Sequence, residues 1–188
     1  MAPRPRRAWP ADFNPARIRH AAGLLLIFPR AQRAHIVLTV RAETLGRHGG
    51  QVSLPGGVIE QGEAFEVAAL REAHEEIALA AADVKVVGRL TPVDIPVSGF
   101  RLHPIVGTTG RPPALAAADG EVARILEVPV DDLMAPGAVV LAQRERDGGL
   151  VAVPAFRVGR DEIWGATAMV LAELLVVLGW NRRGGDGL

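Results

Sequence analysis

The chain has no cysteine among its 188 residues, which excludes disulfide frameworks, zinc–thiolate sites and a thiol nucleophile at once. It has almost no lysine: of 21 basic residues 20 are Arg, and Lys85 is the exception. Any grip on phosphate must therefore be made by planar guanidinium forks rather than by ammonium groups. Net charge is missing too, since the 21 basic residues meet 21 acidic ones; a general nucleic-acid binder would show a basic excess. Long hydrophobic runs are absent. Ala21 to Phe28 is far short of the ~20 residues that span a bilayer, and Ala166 to Trp180 is broken by Glu173. Basic Met1 to Arg7 is not followed by an apolar leader core, because Asp12, Asn14 and two Arg intervene. The expectation is a soluble cytoplasmic protein with no membrane or nucleic-acid partner.

What the chain does have is an ordinary globular balance, 49% hydrophobic and 22% charged, at a length that suits one domain. Residues 1–14 and 182–188 read as loose ends of that single domain. Pro15 to Ala22 looks helical, and Ala22 to Phe28 and His35 to Arg41 read as buried strands. Ala42 to Gly57 is a long irregular stretch with five Gly and one Pro, and loops of that length are usually functional. Glu63 to about Leu79 is made of helix formers without Gly or Pro. Strands are expected at Val84 to Leu90, Arg101 to Gly107 and Glu121 to Val128. A hairpin follows around Asp147-Gly148-Gly149, then a closing helix from Gly165 to Leu178. Strands outnumber helices and the two interleave, which gives an α+β class with one mixed sheet and helices packed on its faces.

The helix after Gly56-Gly57 carries the chemistry. Glu72, Glu75 and Glu76 stand at i, i+3 and i+4 and share a face. Val67, Leu70, Ala73 and Ile77 form the expected core stripe opposite, while Ala68 and Ala69 leave room beside the carboxylates for a phosphate. Three carboxylates ~5–6 Å apart repel. If partly buried they call for a cation, and oxygen ligands of this kind suit Mg²⁺ or Mn²⁺. Arg71 is placed to hold a carboxylate. Glu63, in the expected first helical turn, suits the helix dipole and could reach Arg71.

The spacing Gly57, five residues, Glu63, seven residues, Arg71-Glu72, then Glu75-Glu76 resembles the Nudix box of the Nudix hydrolases. Every charged position matches; Ala78 stands where the box has Gly, so the helix end is expected to close differently. The resemblance implies an α/β/α sandwich with a mixed sheet, and a hydrolase acting on a diphosphate that links a nucleoside to another group. It implies that Glu72, Glu75 and Glu76, helped by the Gly57 carbonyl, bind Mg²⁺ or Mn²⁺. Arg71 would orient Glu72, and Glu63 would buttress Arg71.

A second resemblance is finer. Leu38-Thr39-Val40-Arg41, Arg47-His48-Gly49-Gly50-Gln51-Val52-Ser53-Leu54-Pro55-Gly56-Gly57, Ser98-Gly99-Phe100, His103-Pro104 and Ile163-Trp164-Gly165-Ala166-Thr167 look like the coenzyme A pyrophosphatase branch of that family. The substrate implied is coenzyme A or its thioesters, cut to 3′,5′-ADP and 4′-phosphopantetheine or its acyl form. Its diphosphate and 3′-phosphate call for forks, and Arg41 and Arg47 are the candidates, although a loop Arg also pins carbonyls. Gly49 and Gly50 allow close backbone approach, and His48 either touches ligand or organises the loop. Glu121 is a fourth ligand or general base, or a surface charge at a strand start. Trp164 and Phe100 read as core anchors rather than as stackers against ligand. The rivals are hydrolysis of ADP-ribose or an oxidised nucleotide, and a Nudix-fold sensor that binds without cutting. Whether the chain works as a homodimer stays open.

Overall fold

The computed structural model describes residues 9–43, 49–146 and 149–180. The main sheet is built on β1, Arg19–Arg30, a twelve-residue strand whose neighbours change along its length. Its N-terminal half pairs antiparallel with β4, Gly56–Val58, and its C-terminal end pairs with β2, Arg33–Arg41. On its other edge it runs parallel to β7, Phe100–Thr108, in register from Arg19↔Phe100 to Ile27↔Thr108. The two-residue β3, Val52–Ser53, and β8, Val122–Pro129, add to β2. β5, Lys85–Arg89, and β6, Val93–Ile95, add to β7. The parallel β1–β7 pair makes the sheet mixed, as the interleaved elements led us to expect.

Both faces of this sheet are covered, which is why β1 and β2 read as continuous apolar runs rather than as alternating ones. Ala22, Leu24, Leu26 and Phe28 face α1, Phe65–Ile77, through Ala68, Ala69, Ala73 and Ile77. Leu25, Ile36, Leu38 and Val40 face the opposite way, into a core with α2, Val130–Met134, and α3, Gly165–Val177. A three-stranded meander, β9 Val139–Arg146, β10 Gly149–Val158 and β11 Asp161–Ile163, lies against that second layer. Helix α3 is fixed at both ends. Thr167 Oγ1 donates to the Val52 carbonyl at 3.2 Å, and the Glu173 carboxylate accepts from the Thr91 N–H and hydroxyl at 2.9 and 2.7 Å.

Several elements differ from the sequence expectation. Pro15 to Ala22 is not a helix: three residues, Pro15–Arg17, form a 3₁₀ turn capped by Asn14, and β1 begins at Arg19. The short strands β3, β4 and β6 lie inside stretches read as loops, because two or three paired residues beside Gly and Pro leave no periodic trace. Among the loose ends, residues 9–14 do carry structure, with the Trp9 ring stacked on Phe13 at 4.4 Å. Helix α1 starts two residues later than expected and leaves Glu63 outside it.

Candidate active site

The site grows from a tight crossing of β1, β4 and α1. A side chain on Gly56 would collide with the Ala22 carbonyl of the paired strand, and one on Gly57 would collide with the Glu72 carboxylate. Gly56 is thus required by close approach of backbone, while Gly57 lets its backbone lie directly against the Glu72 carboxylate, which a side chain there would displace.

The core stripe of α1 is only in part the expected one: Ala73 and Ile77 are fully buried and Leu70 packs against the core, but the stripe is shifted at its start. Ala68 and Ala69 are fully buried against the sheet rather than lining space for phosphate, and Val67 is 56% exposed rather than in the core. Glu72 and Glu76 therefore stand on the sheet-facing stripe itself, in line with Ala69 and Ala73, while Glu75 lies at its margin and is half exposed. The apolar stripe is interrupted by two carboxylates at the place where β4 crosses.

Arg71 organises this crossing. Nε and Nη2 donate to the two Glu63 oxygens at 2.9 and 3.0 Å, a bidentate pair. Nη1 donates to Glu72 at 2.9 Å and to Glu75 at 3.2 Å, and Nη2 also donates to the Val58 carbonyl at 3.1 Å. All five guanidinium donors are used. Glu63, which also accepts the Glu60 N–H at 3.0 Å, is held below the usual carboxylate range, by Arg71 first and that N–H second. Its role in the structure is that of a partner to Arg71 from the loop before the helix; it makes no first turn.

Glu76 is 6% exposed, and its hydrogen bond comes from the Gly56 N–H, at 3.1 Å. The Arg41 guanidinium stands 4.0 Å off, too far for a hydrogen bond. Burial pushes the Glu76 carboxyl up to about 7; Gly56 and Arg41 oppose this, and the charges of Glu72 and Glu121 add to it. Glu72 is also raised, by burial first; the Arg71 hydrogen bond pulls it back and Glu75 and Glu121 push it up. Glu121 is exposed at the mouth of β8 and is close enough to act on both. Four carboxylates thus share one field that Arg71 and Arg41 offset only in part.

Among the described residues no three acidic or His side chains already converge as a metal cluster. The donor set nevertheless fits a hard divalent cation. It consists of carboxylate oxygens around a buried, under-neutralised Glu76, with the Gly57 backbone beside Glu72. Of the remaining candidates, Arg41 sits at a bulge where β2 leaves β8. Its carbonyl accepts from the Gly50 N–H at 2.9 Å and its N–H donates to Gln51 at 3.0 Å, so the Gly-rich loop is stitched to the strand end beside Glu76. Arg47 and His48 lie outside the described residues. His74 faces away, its Nδ1 at 3.1 Å from the Leu79 carbonyl. Sequence reasoning gave His103 no role; its Nε2 lies 2.9 Å from His20 Nδ1, and its ring stacks on Phe65 at 3.9 Å. Only the parallel register of β1 and β7 brings those two histidines together.

This is the arrangement that a family match explains. The NUDIX domain model matches residues 17–147. The chain belongs to the Nudix family. Curated relatives named "Uncharacterized Nudix hydrolase NudL" include one from Citrobacter koseri, 36% identical over 86% of this chain and 84% of its own. Another, from Cronobacter sakazakii, is 37% identical over 86% of this chain and 83% of its own. Among solved structures, a Nudix hydrolase from M. smegmatis, RenU, superposes with a TM-score of 0.62 at 22% identity, covering 90% of this chain and 91% of that one, which speaks for the fold alone. The protein is therefore a Nudix hydrolase with an α+β fold, an enzyme of the pyrophosphatase kind that acts on a small molecule. Nudix enzymes generally work with divalent ions such as Mg²⁺ or Mn²⁺. No described helix is long and apolar enough to cross a membrane.

Proposed function

We propose that this Nudix hydrolase cleaves the diphosphate of coenzyme A or an acyl-CoA to 3′,5′-ADP and 4′-phosphopantetheine or its acyl form. One observation carries the reading. The Gly49-Gly50-Gln51 segment, part of the stretch that resembles the coenzyme A branch, is hydrogen-bonded to Arg41, and Arg41 reaches to 4.0 Å from Glu76. Segment, guanidinium and carboxylates are one assembly, so a ligand held by the first two lies over the third.

In this reading Glu72, Glu75, Glu76 and the Gly57 carbonyl hold Mg²⁺ or Mn²⁺. When bound, such a cation lowers the pKa of an attacking water and offsets charge developing on the phosphoryl oxygens. Arg71 holds Glu72 against Gly57 and so fixes the direction in which its free oxygen points; Glu63 fixes Arg71. Glu121 completes the set from across the mouth as a ligand or as the group that takes the water's proton. Arg41, with Arg47, His48 and the Gly50 backbone, receives the substrate phosphates. The test is parallel turnover of coenzyme A, ADP-ribose and 8-oxo-dGTP at equal concentration with Mg²⁺ or Mn²⁺. Coenzyme A should be cleaved fastest. A clear preference for either rival overturns the assignment, and binding of any of them without cleavage would make the protein a sensor.

A further inference from the structure

Beside the strand end that carries Arg41 lies an open surface pocket of about 420 Å³ between the Gly49–Val52 segment and the small sheet. Its far wall is Arg144 of β9, Arg160 in the β10–β11 turn, Asp161 and Glu162 of β11, and Trp164. Its near wall is tied to the strand end beside Glu76, because the Gln51 carbonyl accepts the Arg41 N–H. Its outer side is tied to β8 by the two-point pair of Arg124 with Asp161, at 2.6 and 3.2 Å.

The charges in this wall are unevenly engaged. Asp161 is committed to Arg124; Glu162 is shared between Arg144 at 2.9 Å and Arg157 at 3.3 Å and is held below the usual carboxylate range by them. Glu43 stands across Gly50. The wall itself holds two guanidinium groups and two carboxylates, and because Asp161 and Glu162 are engaged by Arg124, Arg144 and Arg157, Arg160 is left without an acid partner among the described residues, exposed at the tip of its turn. Arg144 is further fixed over the Trp164 ring, 5.1 Å from its centroid, so the indole forms a flat wall beside a held cation. An under-neutralised fork, a second fixed guanidinium and an aromatic wall suit a phosphate monoester on a nucleoside, since Arg matches phosphate geometry and the ring offers apolar contact.

We infer that this pocket is the subsite for the ribose 3′-phosphate end of the substrate, with Arg160 the residue that selects for that phosphate. The inference rests on the coenzyme A reading and deepens it: the group that distinguishes coenzyme A from its dephospho form is read by the small sheet, and cleavage takes place at α1.

The experiment measures kcat and KM for coenzyme A and dephospho-coenzyme A with wild type, Arg160→Ala and Arg160→Lys, together with calorimetric binding of 3′,5′-ADP and 5′-AMP. One charge-assisted contact corresponds to about 10–100-fold. Arg160→Ala should raise KM for coenzyme A by that factor, leave kcat and the dephospho substrate within about twofold, and be partly rescued by Arg160→Lys. Equal loss on both substrates, or no loss on either, overturns the inference while leaving the coenzyme A reading intact. If neither compound is hydrolysed, the reading itself fails. The pocket is then judged by binding alone: 3′,5′-ADP should still bind about tenfold tighter than 5′-AMP, and equal affinity overturns the subsite.

Discussion

Arg71 and Glu63 meet through two parallel hydrogen bonds across eight residues, one on the helix and the other in the loop before it. The pair makes a guanidinium into a fixed bracket. Its remaining donors hold Glu72, Glu75 and the Val58 carbonyl, so helix, loop and β4 are set relative to one another by one side chain.

Replacing that fork by an ammonium should therefore disturb geometry more than charge. Arg71→Lys is expected to lower kcat by about 10²-fold, because a 1 Å displacement of Glu72 is enough for that. Far-ultraviolet circular dichroism should stay native. A variant within threefold of wild type would mean that Glu72 keeps its position without the bracket.

Glu76 gives opposite effects on stability and activity. Its carboxyl titrates at about 7 in the fold, above an ordinary Glu, so the folded protein binds more protons than the unfolded chain between those values. The contribution of Glu76 to metal-free stability is full below pH ~4.5 and is lost as pH rises through 7. Glu76→Gln should remove that loss: in chelator, the difference in urea midpoint between variant and wild type should grow from pH 5 to pH 8. Turnover with Mg²⁺ should meanwhile fall by 10²-fold or more. A pH-independent difference would refute the assignment of the charge to burial.

His103 slopes the other way. Burial first, then the charge of neighbouring His20, lowers its pKa below that of a free imidazole. The neutral ring is the one the fold favours, so its contribution is present above pH ~6.5 and is lost as pH falls through the lowered value. Two protonated rings with facing nitrogens 2.9 Å apart would repel. Wild type should lose unfolding free energy on acidification over that range, and His103→Gln should lose less. Imidazole proton shifts followed by NMR would show directly whether His103 titrates below the ordinary value.

Ala78 predicts a gain. It closes α1 in the left-handed conformation, φ 54° and ψ 25°, with its N–H on the His74 carbonyl. The helix thus ends as a Gly would end it, not in a different way, and the methyl group strains the turn. Ala78→Gly should stabilise by about 1 kcal/mol and raise Tm by about 2–4 °C without changing turnover. A fall in Tm would show that the entropy cost of Gly outweighs the relief of strain.

Much of this was legible in the sequence because it was local. The carboxylate spacing and the long apolar runs specify α1 and the two-sided sheet directly. The stripe of α1 holds at Ala73 and Ile77 but not at Val67, because the small Ala68 and Ala69 let the helix approach the sheet and put Glu72 and Glu76 underneath. Glu63 was misplaced because Gly62, at φ 80°, and extended Ala64 delay the helix start, which composition does not record. The pocket at Trp164 and the His20–His103 contact depend on strands distant in sequence, so no spacing announces them; Trp164 lines that pocket instead of anchoring the core.

The parallel partnership of β1 with β7 also sets a schedule. During synthesis β1 leaves the ribosome early, with its hairpin partner next and the acidic helix soon after. The strand that must lie along its other edge is complete only at Thr108, and Glu121 follows later still. A nascent chain carrying every residue of the acidic helix can seat it on β1 and β4, but it still lacks the parallel edge strand and Glu121. Catalytic competence arrives late and all together, when about two thirds of the polypeptide is available to close the sheet.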